Sequence, residues 1–242
     1  MNKYAERELI FTPEGGFLSR GDVGAYVKRV QEWLSLANVA VSTDGDYGPA
    51  TEAAVRKFQR QAGLYPDGAA GSQTWAQLTA PPVRAFRAPT RRSTESLGRA
   101  TVRVAYAHLR EHPRELNGAN QGPWVRAYMK GNEGKQWAWC AGFVSTVIRQ
   151  ASGASDPLEW IAKDTFSCDR MAEDAEKAGQ LLRAVKPSEI HDVVQPGDFF
   201  LVVSSKNNRD WRHVGIVVDI DDSGEVITTI EGNTNDEGSR EG

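Results

Sequence analysis

From Val23 onward, apolar residues recur at helical spacing: Val23, Val27, Val30, Trp33 and Leu34, with Tyr26 beside them. Such a stripe faces a core, so the pattern predicts an amphipathic helix with Asp22 as its N-cap. Residues 1–16, with Pro13, Gly15 and Gly16, show no such period and read as an arm. Two further stripes follow: Thr51, Ala54, Val55, Phe58 and Ala62, then Trp75 and Leu78. Together they predict a compact bundle of about three helices within residues 17–80. The period lapses over 81–98, where PPVRAFRAPTRRSTE gathers prolines and arginines, the composition of a linker. A second domain is then expected over 99–242. In it, positions 140, 143, 144, 147, 148 and 151 share one helical face, and Ser152-Gly153 supplies a stop. Beyond the turn at Pro196-Gly197-Asp198 the period shortens. Phe199–Val203, His213–Val218 and Glu225–Asn233 read as strands, parted by a polar loop and by Gly224. The predicted class is α+β: a small helical bundle, then helices packed on an antiparallel meander.

Composition narrows this little. With 40% hydrophobic and 25% charged residues in 242, the chain is ordinary globular material for one or two domains. The net charge of −3 argues against a nucleic-acid binder, and the one basic stretch, five Arg against one Glu over 81–99, has the composition of a linker more than of a nucleic-acid surface. Two cysteines make no disulfide scaffold. No apolar run approaches the ~18 residues of a membrane span, so membrane insertion is not expected. Residues 1–20 lack the apolar stretch of a secretory signal, and synthesis in the cytoplasm without one is expected. A monomer is expected.

A short repeat lies inside the bundle. Asp44-Gly45-Asp46-Tyr47-Gly48-Pro49-Ala50-Thr51 and Asp67-Gly68-Ala69-Ala70-Gly71-Ser72-Gln73-Thr74 both have the form D-G-x-x-G-x-x-T. Asp-Gly favours a turn, and the second glycine is expected to take a positive φ before the helix. A calcium loop on Asp44 and Asp46 is rejected, because Val55 stands where an EF-hand carries its glutamate.

The chemistry concentrates around Cys140, in WAWCAGFV (Trp137–Val144). Its place in the first turn of a helix sets it among unpaired backbone N–H groups at the positive end of the dipole, which favours a thiolate. Of the four histidines, His108 and His112 lack the glutamate of a zinc-binding H-E-x-x-H and read as a solvated helix end, and His191 sits in a loop. His213 opens a strand. Glu231 and Asn233 are expected on one face of the next, because strand side chains repeat every two residues. A thiol, an imidazole and an acceptor behind the ring make the arrangement of a cysteine nucleophile with its base. The residues alone leave Glu231 and Asn233 equal as that acceptor. The backbone N–H of Cys140, with Gln136 as a second donor, is a candidate oxyanion site. Trp137 and Trp139 serve equally well as a substrate groove or as core.

Two resemblances sharpen this. The segments DGDYGPATEAAVRKFQ and DGAAGSQTWAQL are similar to the peptidoglycan-binding domain 1 family, which implies a non-catalytic wall anchor over 17–80. The elements PWVRAYMKG (123–131), WCAGFV, the PGD turn, HVGIVV and IEGN resemble, in order, the CHAP family of cysteine, histidine-dependent amidohydrolases/peptidases. That resemblance implies a papain-like fold, Cys140 as nucleophile, His213 as base, Glu231 as third member and Asn233 as an orienting or polarising residue. It implies bacterial peptidoglycan as substrate and partner, and an amidase or endopeptidase acting as a phage lysin or as a secreted antibacterial effector. An effector would require a cognate immunity protein. Such a protein leaves the cytoplasm by lysis or by a secretion system and acts on the wall. No cofactor and no metal are expected, since no aspartate cluster precedes Cys140. The family commonly continues past IEGN into a further basic strand, whereas here NTNDEGSREG follows. The alternatives are a wall-binding protein with an inactive CHAP domain and an acyl or peptidyl transferase on the same scaffold.

Overall fold

The computed structural model describes residues 3–153, 165–183, 185–204 and 207–234. The polar tail after Thr234 lies outside them. In chain order the longer elements are α1 (Lys3–Leu9), α2 (Ala25–Leu36), α3 (Pro49–Gln61), α4 (Ser72–Leu78), α5 (Ala80–Phe86), α6 (Leu97–Leu109), α7 (Pro123–Tyr128), α8 (Cys140–Ser152), α9 (Cys168–Lys177), α10 (Ile190–Val193), β1 (Phe199–Ser204), β2 (Asn207–Ile220) and β3 (Ile227–Glu231). They form two compact units. The first takes residues 1–84 and 114–133, the second residues 85–113 and 134–242.

In the first unit, α2, α3 and α4 are the three expected helices. Val27, Val30, Trp33 and Leu34 of α2 are buried with Ala54, Val55 and Phe58 of α3 and Trp75 and Leu78 of α4. Val23, read as the start of the first stripe, instead lies before the helix and is 75% exposed. Nor does Asp22 cap α2. Gly24 holds that position, and the Asp22 carboxylate accepts from the N–H of Ser19 at 2.7 Å. Each copy of the repeat closes around a buried glutamine from the preceding helix. Gln31 Nε2 lies 2.8 Å from Asp44 Oδ1 and 3.0 Å from Thr51 Oγ1, while its Oε1 accepts from the N–H of Gly45. Gln59 does the same with Asp67, Thr74 and Gly68. The glycines at positive φ are the first of each copy, Gly45 (78°) and Gly68 (80°). Gly48 and Gly71 have negative φ and serve as helix N-caps.

Residues 3–9 of the expected arm are helical. Their Glu8 meets Arg126 of α7, whose guanidinium also bonds Glu32 of α2 and Glu133, with contacts of 2.7 to 3.2 Å. Trp124 of α7 packs edge-on against Trp33, centroids 6.0 Å apart. This binds the segment 114–133 to the N-terminal helices.

In the second unit, α6, α8 and α9 supply Ala100, Val104, Ala105, Phe143, Val144, Val147, Ile148, Ala151, Met171, Ala172 and Ala175 to a core that includes Val214, Ile216, Val218 and Ile230 of the sheet. The sheet runs β1-β2-β3 and is antiparallel throughout, so helices beside a small antiparallel sheet make the class α+β. Residues 81–86 of the expected linker are helical, within α5. Pro81 and Pro82 stand in the first turn, where a missing N–H costs nothing, and Phe86 is buried against His108, centroids 4.9 Å apart. His108 is thus a core residue and not part of a solvated helix end. Burial holds its pKa down to about 4, so it is neutral, with Nε2 3.2 Å from Gln150 Oε1. No helix among the described residues is long and apolar enough to cross a membrane.

Glu32 is buried, so its charge depends on Arg126. Arg126→Ala is expected to destabilise the first unit by about 3–5 kcal/mol, read as a lower denaturation midpoint in urea.

Candidate active site

Cys140 is the first residue of α8. Its N-cap, Trp139, offers no side-chain cap, so the backbone N–H groups of the first turn remain available to an anion. Trp139 packs edge-on against Phe143, and Gly232 lies so close to both that a Cβ there would come within 2.8 Å of each. That contact presses the end of β3 against the first turn of α8.

His213 and Glu231 are brought together by register. Gly215 of β2 pairs with Glu231 of β3 and with Phe200 of β1, so these three form one row across the sheet. His213 stands two residues before Gly215, hence on the same face. A Cβ on Gly215 would sit 2.6 Å from both Glu231 Cγ and Phe200 Cε1. The missing side chain therefore opens the path by which the Glu231 carboxylate crosses to the imidazole. Glu231 Oε2 lies 2.7 Å from His213 Nε2, and Thr229 donates to Glu231 Oε1 at 2.6 Å. Both carboxylate oxygens are thus engaged. The Phe200 ring stands 6.2 Å from the imidazole.

With Nε2 committed to Glu231, Nδ1 is the ring nitrogen left to face Cys140, and the two groups stabilise each other's charged form. Cys140 has a second sulfur neighbour, Cys168 at the start of α9, 3.8 Å away, and no disulfide joins them. The hydrogen bond from Cys168 does most to lower the Cys140 thiol, burial opposes it, and His213 lowers it further, to about 5. Burial depresses His213, but bonding to Cys140 and Glu231 outweighs this and raises it to about 9. Hydrogen bonding from His213 holds Glu231 below the usual carboxylate range. Near neutrality the site is therefore a thiolate, an imidazolium and a carboxylate in a row.

Asn233 does not share a strand face with Glu231: β3 ends at Glu231, and Asn233 takes a left-handed turn at φ 59°. It is 4% exposed, and its Oδ1 has no hydrogen-bond partner among the described residues. The acceptor behind the ring is Glu231. Trp139 is closed into the core, whereas Trp137 is half-buried and edge-on to Phe166. Gln136 is exposed in the loop before α8. Asp198 shapes its turn by accepting from the N–H of Gln195 at 2.8 Å. No group of three or more histidine, cysteine, aspartate or glutamate side chains among the described residues is placed to hold a metal. Reading the sequence for reactive groups passed over Thr229 and Gly215. The strand period sets 229 and 231 on one side, whereas the pairing of 231 with Gly215 follows from register, which the period does not contain.

The cysteine, histidine and carboxylate all fall in a single family match. Residues 129–233 match the family model of the CHAP domain. Residues 23–78 match the putative peptidoglycan binding domain. A protein of Kitasatospora aureofaciens described as "Uncharacterized protein in bpoA1 3'region" is 51% identical over 63 residues, 25% of this chain and 53% of the relative. The chain thus spans about half the length of that curated relative. A crystal structure of the Burkholderia AP3 phage endolysin is 35% identical over 38% of this chain and 36% of its own, with a TM-score of 0.26. The CHAP match begins at Met129, inside the 114–133 segment that packs with the first unit.

The low thiol pKa has a direct readout. Iodoacetamide is expected to alkylate Cys140 with half-maximal rate near pH 5, where an ordinary cysteine of pKa ~8.5 is inert. His213→Ala is expected to move that midpoint upward, because the neighbouring positive charge is gone. Alkylation rates from pH 4 to 9, followed by mass spectrometry, check both.

Proposed function

We propose that this protein is a cysteine-dependent peptidoglycan hydrolase that cleaves an amide bond of the bacterial wall's stem peptide, with the segment matching the putative peptidoglycan binding domain as its anchor. The single observation that supports it best is the 2.7 Å bond from His213 to Glu231, with the ring's charge coupled to the buried thiol of Cys140. The two family matches point to the same polymer. A tethered anchor raises the local concentration of the cutting domain on an insoluble substrate.

The charges suit acyl transfer. The Cys140 thiolate attacks the amide carbonyl carbon and forms a C–S bond, and the oxygen takes the negative charge. The Cys140 N–H, at the start of α8, is the nearest candidate donor to that oxyanion. The His213 imidazolium gives its Nδ1 proton to the leaving nitrogen as the C–N bond breaks. The acyl-enzyme remains. Neutral His213 then takes a proton from water, whose oxygen attacks the thioester and releases the carboxylate and Cys140. Glu231 keeps the ring oriented and its positive form stable throughout, and Thr229 keeps Glu231 in place. Asn233, buried just past β3 with its Oδ1 unpartnered among the described residues, is the group left for a supporting, polarising role. Trp137, only half-buried, is a better surface for substrate than the buried Trp139, and Gln136 lies in the same loop.

Digestion of purified sacculi with mass spectrometry of the products is the test. New amine and carboxyl termini are expected with the native chain and none with Cys140→Ala; a native chain that releases no termini sinks the reading. Glu231→Ala is expected to lower kcat/KM by about 10²–10⁴-fold. The pH profile should be a bell, with its acid limb near 5, where Cys140 takes up a proton, and its alkaline limb near 9, where His213 loses one. Glu231→Gln removes the anion that raises His213, so its alkaline limb should fall at lower pH. Thr229→Val should lower kcat/KM by about tenfold, and Thr229→Ser should restore it.

A further inference from the structure

We propose that Cys168 makes the sulfur of Cys140 a reversible oxidation site: a small hydroperoxide oxidises Cys140, and Cys168 closes the product as a disulfide. The proposal rests on the reading of Cys140 as a nucleophile. Three observations carry it. The two sulfurs lie 3.8 Å apart and share a hydrogen bond. Each cysteine is the first residue of its helix, α8 or α9, so both sulfurs stand where a helix end favours the anion. And Cys168 is held in place by both its chain neighbours: Ser167 caps α9 by accepting from the N–H of Arg170, and Asp169 accepts from the N–H of Trp211, two residues before His213 on β2.

A thiolate is the form that attacks a peroxide. Cys140 sulfur bonds to one peroxide oxygen, the O–O bond breaks, and the leaving alkoxide or hydroxide takes a proton from the His213 imidazolium. Cys140 is oxidised to a sulfenic acid and the peroxide is reduced to an alcohol or water. The Cys168 sulfur attacks the sulfenic sulfur, and its thiol proton passes to the departing hydroxide. An S–S bond forms, the S–O bond breaks, and hydroxide leaves with a proton as water. To reach the ~2.05 Å of a disulfide the sulfurs must approach by about 1.8 Å, the scale of a side-chain rotation. The disulfide removes the nucleophile, and a reducing thiol returns it. Without Cys168, further peroxide would carry Cys140 to the sulfinic acid, from which thiols do not recover it.

The test uses the full chain and hydrogen peroxide, read by intact mass and by a non-reducing peptide map. Treated protein should lose the mass of two hydrogens and yield a peptide pair joining Cys140 to Cys168, and dithiothreitol should reverse both changes. Cys168→Ser and Cys168→Ala should instead gain oxygen at Cys140 and stay oxidised after dithiothreitol. Oxygen gain at Cys140 of the native chain without a joined peptide pair overturns the proposal, as does no change at all under peroxide; both of these are read on the native chain, whether or not the variants fold. Sacculi digestion before oxidation, after it and after reduction is scored separately. A reversible cross-link in a chain that never digests sacculi leaves the oxidation site standing and removes the hydrolase reading, while digestion without a cross-link does the reverse.

Discussion

The site turns on one bond, that between the Glu231 carboxylate and Nε2 of His213. It determines which ring nitrogen faces the sulfur and makes the ring worth protonating. An imidazolium next to a buried thiol needs a counter-charge on its far side, or the cost of burying it returns the proton to sulfur. The strands exist, for the site, to deliver that bond. β2 and β3 must pair so that Gly215 faces Glu231, because any other register would carry the carboxylate away from the ring. Helix α8 completes the row by placing the sulfur in its first turn.

Much of this was legible in the chain and some was not, for reasons that can be named. The stripe from Cys140 to Ala151 was plain because α8 buries every position of it. His213 and Glu231 could be set on neighbouring strands because two β-rich runs flank the turn at Gly224, and the ladder between them is regular from Gly215 to Val217. Asn233 was misplaced on that face because the same period was carried two residues past the strand, across a glycine and into a left-handed turn. The start of α2 was misread because Asp22 is a good capping residue in isolation. Its carboxylate is spent on Ser19, and Gly24 takes the cap.

Other features depend on distance along the chain, which local patterns do not contain. Arg126 gathers Glu8 and Glu32, 118 and 94 residues away, and no spacing rule links them. A seven-residue helix such as α1 shows too few turns for a period, yet its Glu8 belongs to that cluster. The pairing of Cys140 with Cys168 is similarly silent in sequence, where 28 residues separate them. His108 looked solvated because a charged stretch follows it, while Phe86 and Phe143 enclose its ring.

The twin glutamine loops bear on how the first unit answers to its surroundings. In many folds an acidic, glycine-bearing turn is drawn tight by a divalent ion. Here an uncharged amide from the neighbouring helix reaches the carboxylate, a hydroxyl and a main-chain N–H of each turn. The clasp is covalently part of the protein, so it cannot be stripped by a chelator or exchanged for another ion. A unit tied in this way would keep its shape in media whose calcium and magnesium vary widely.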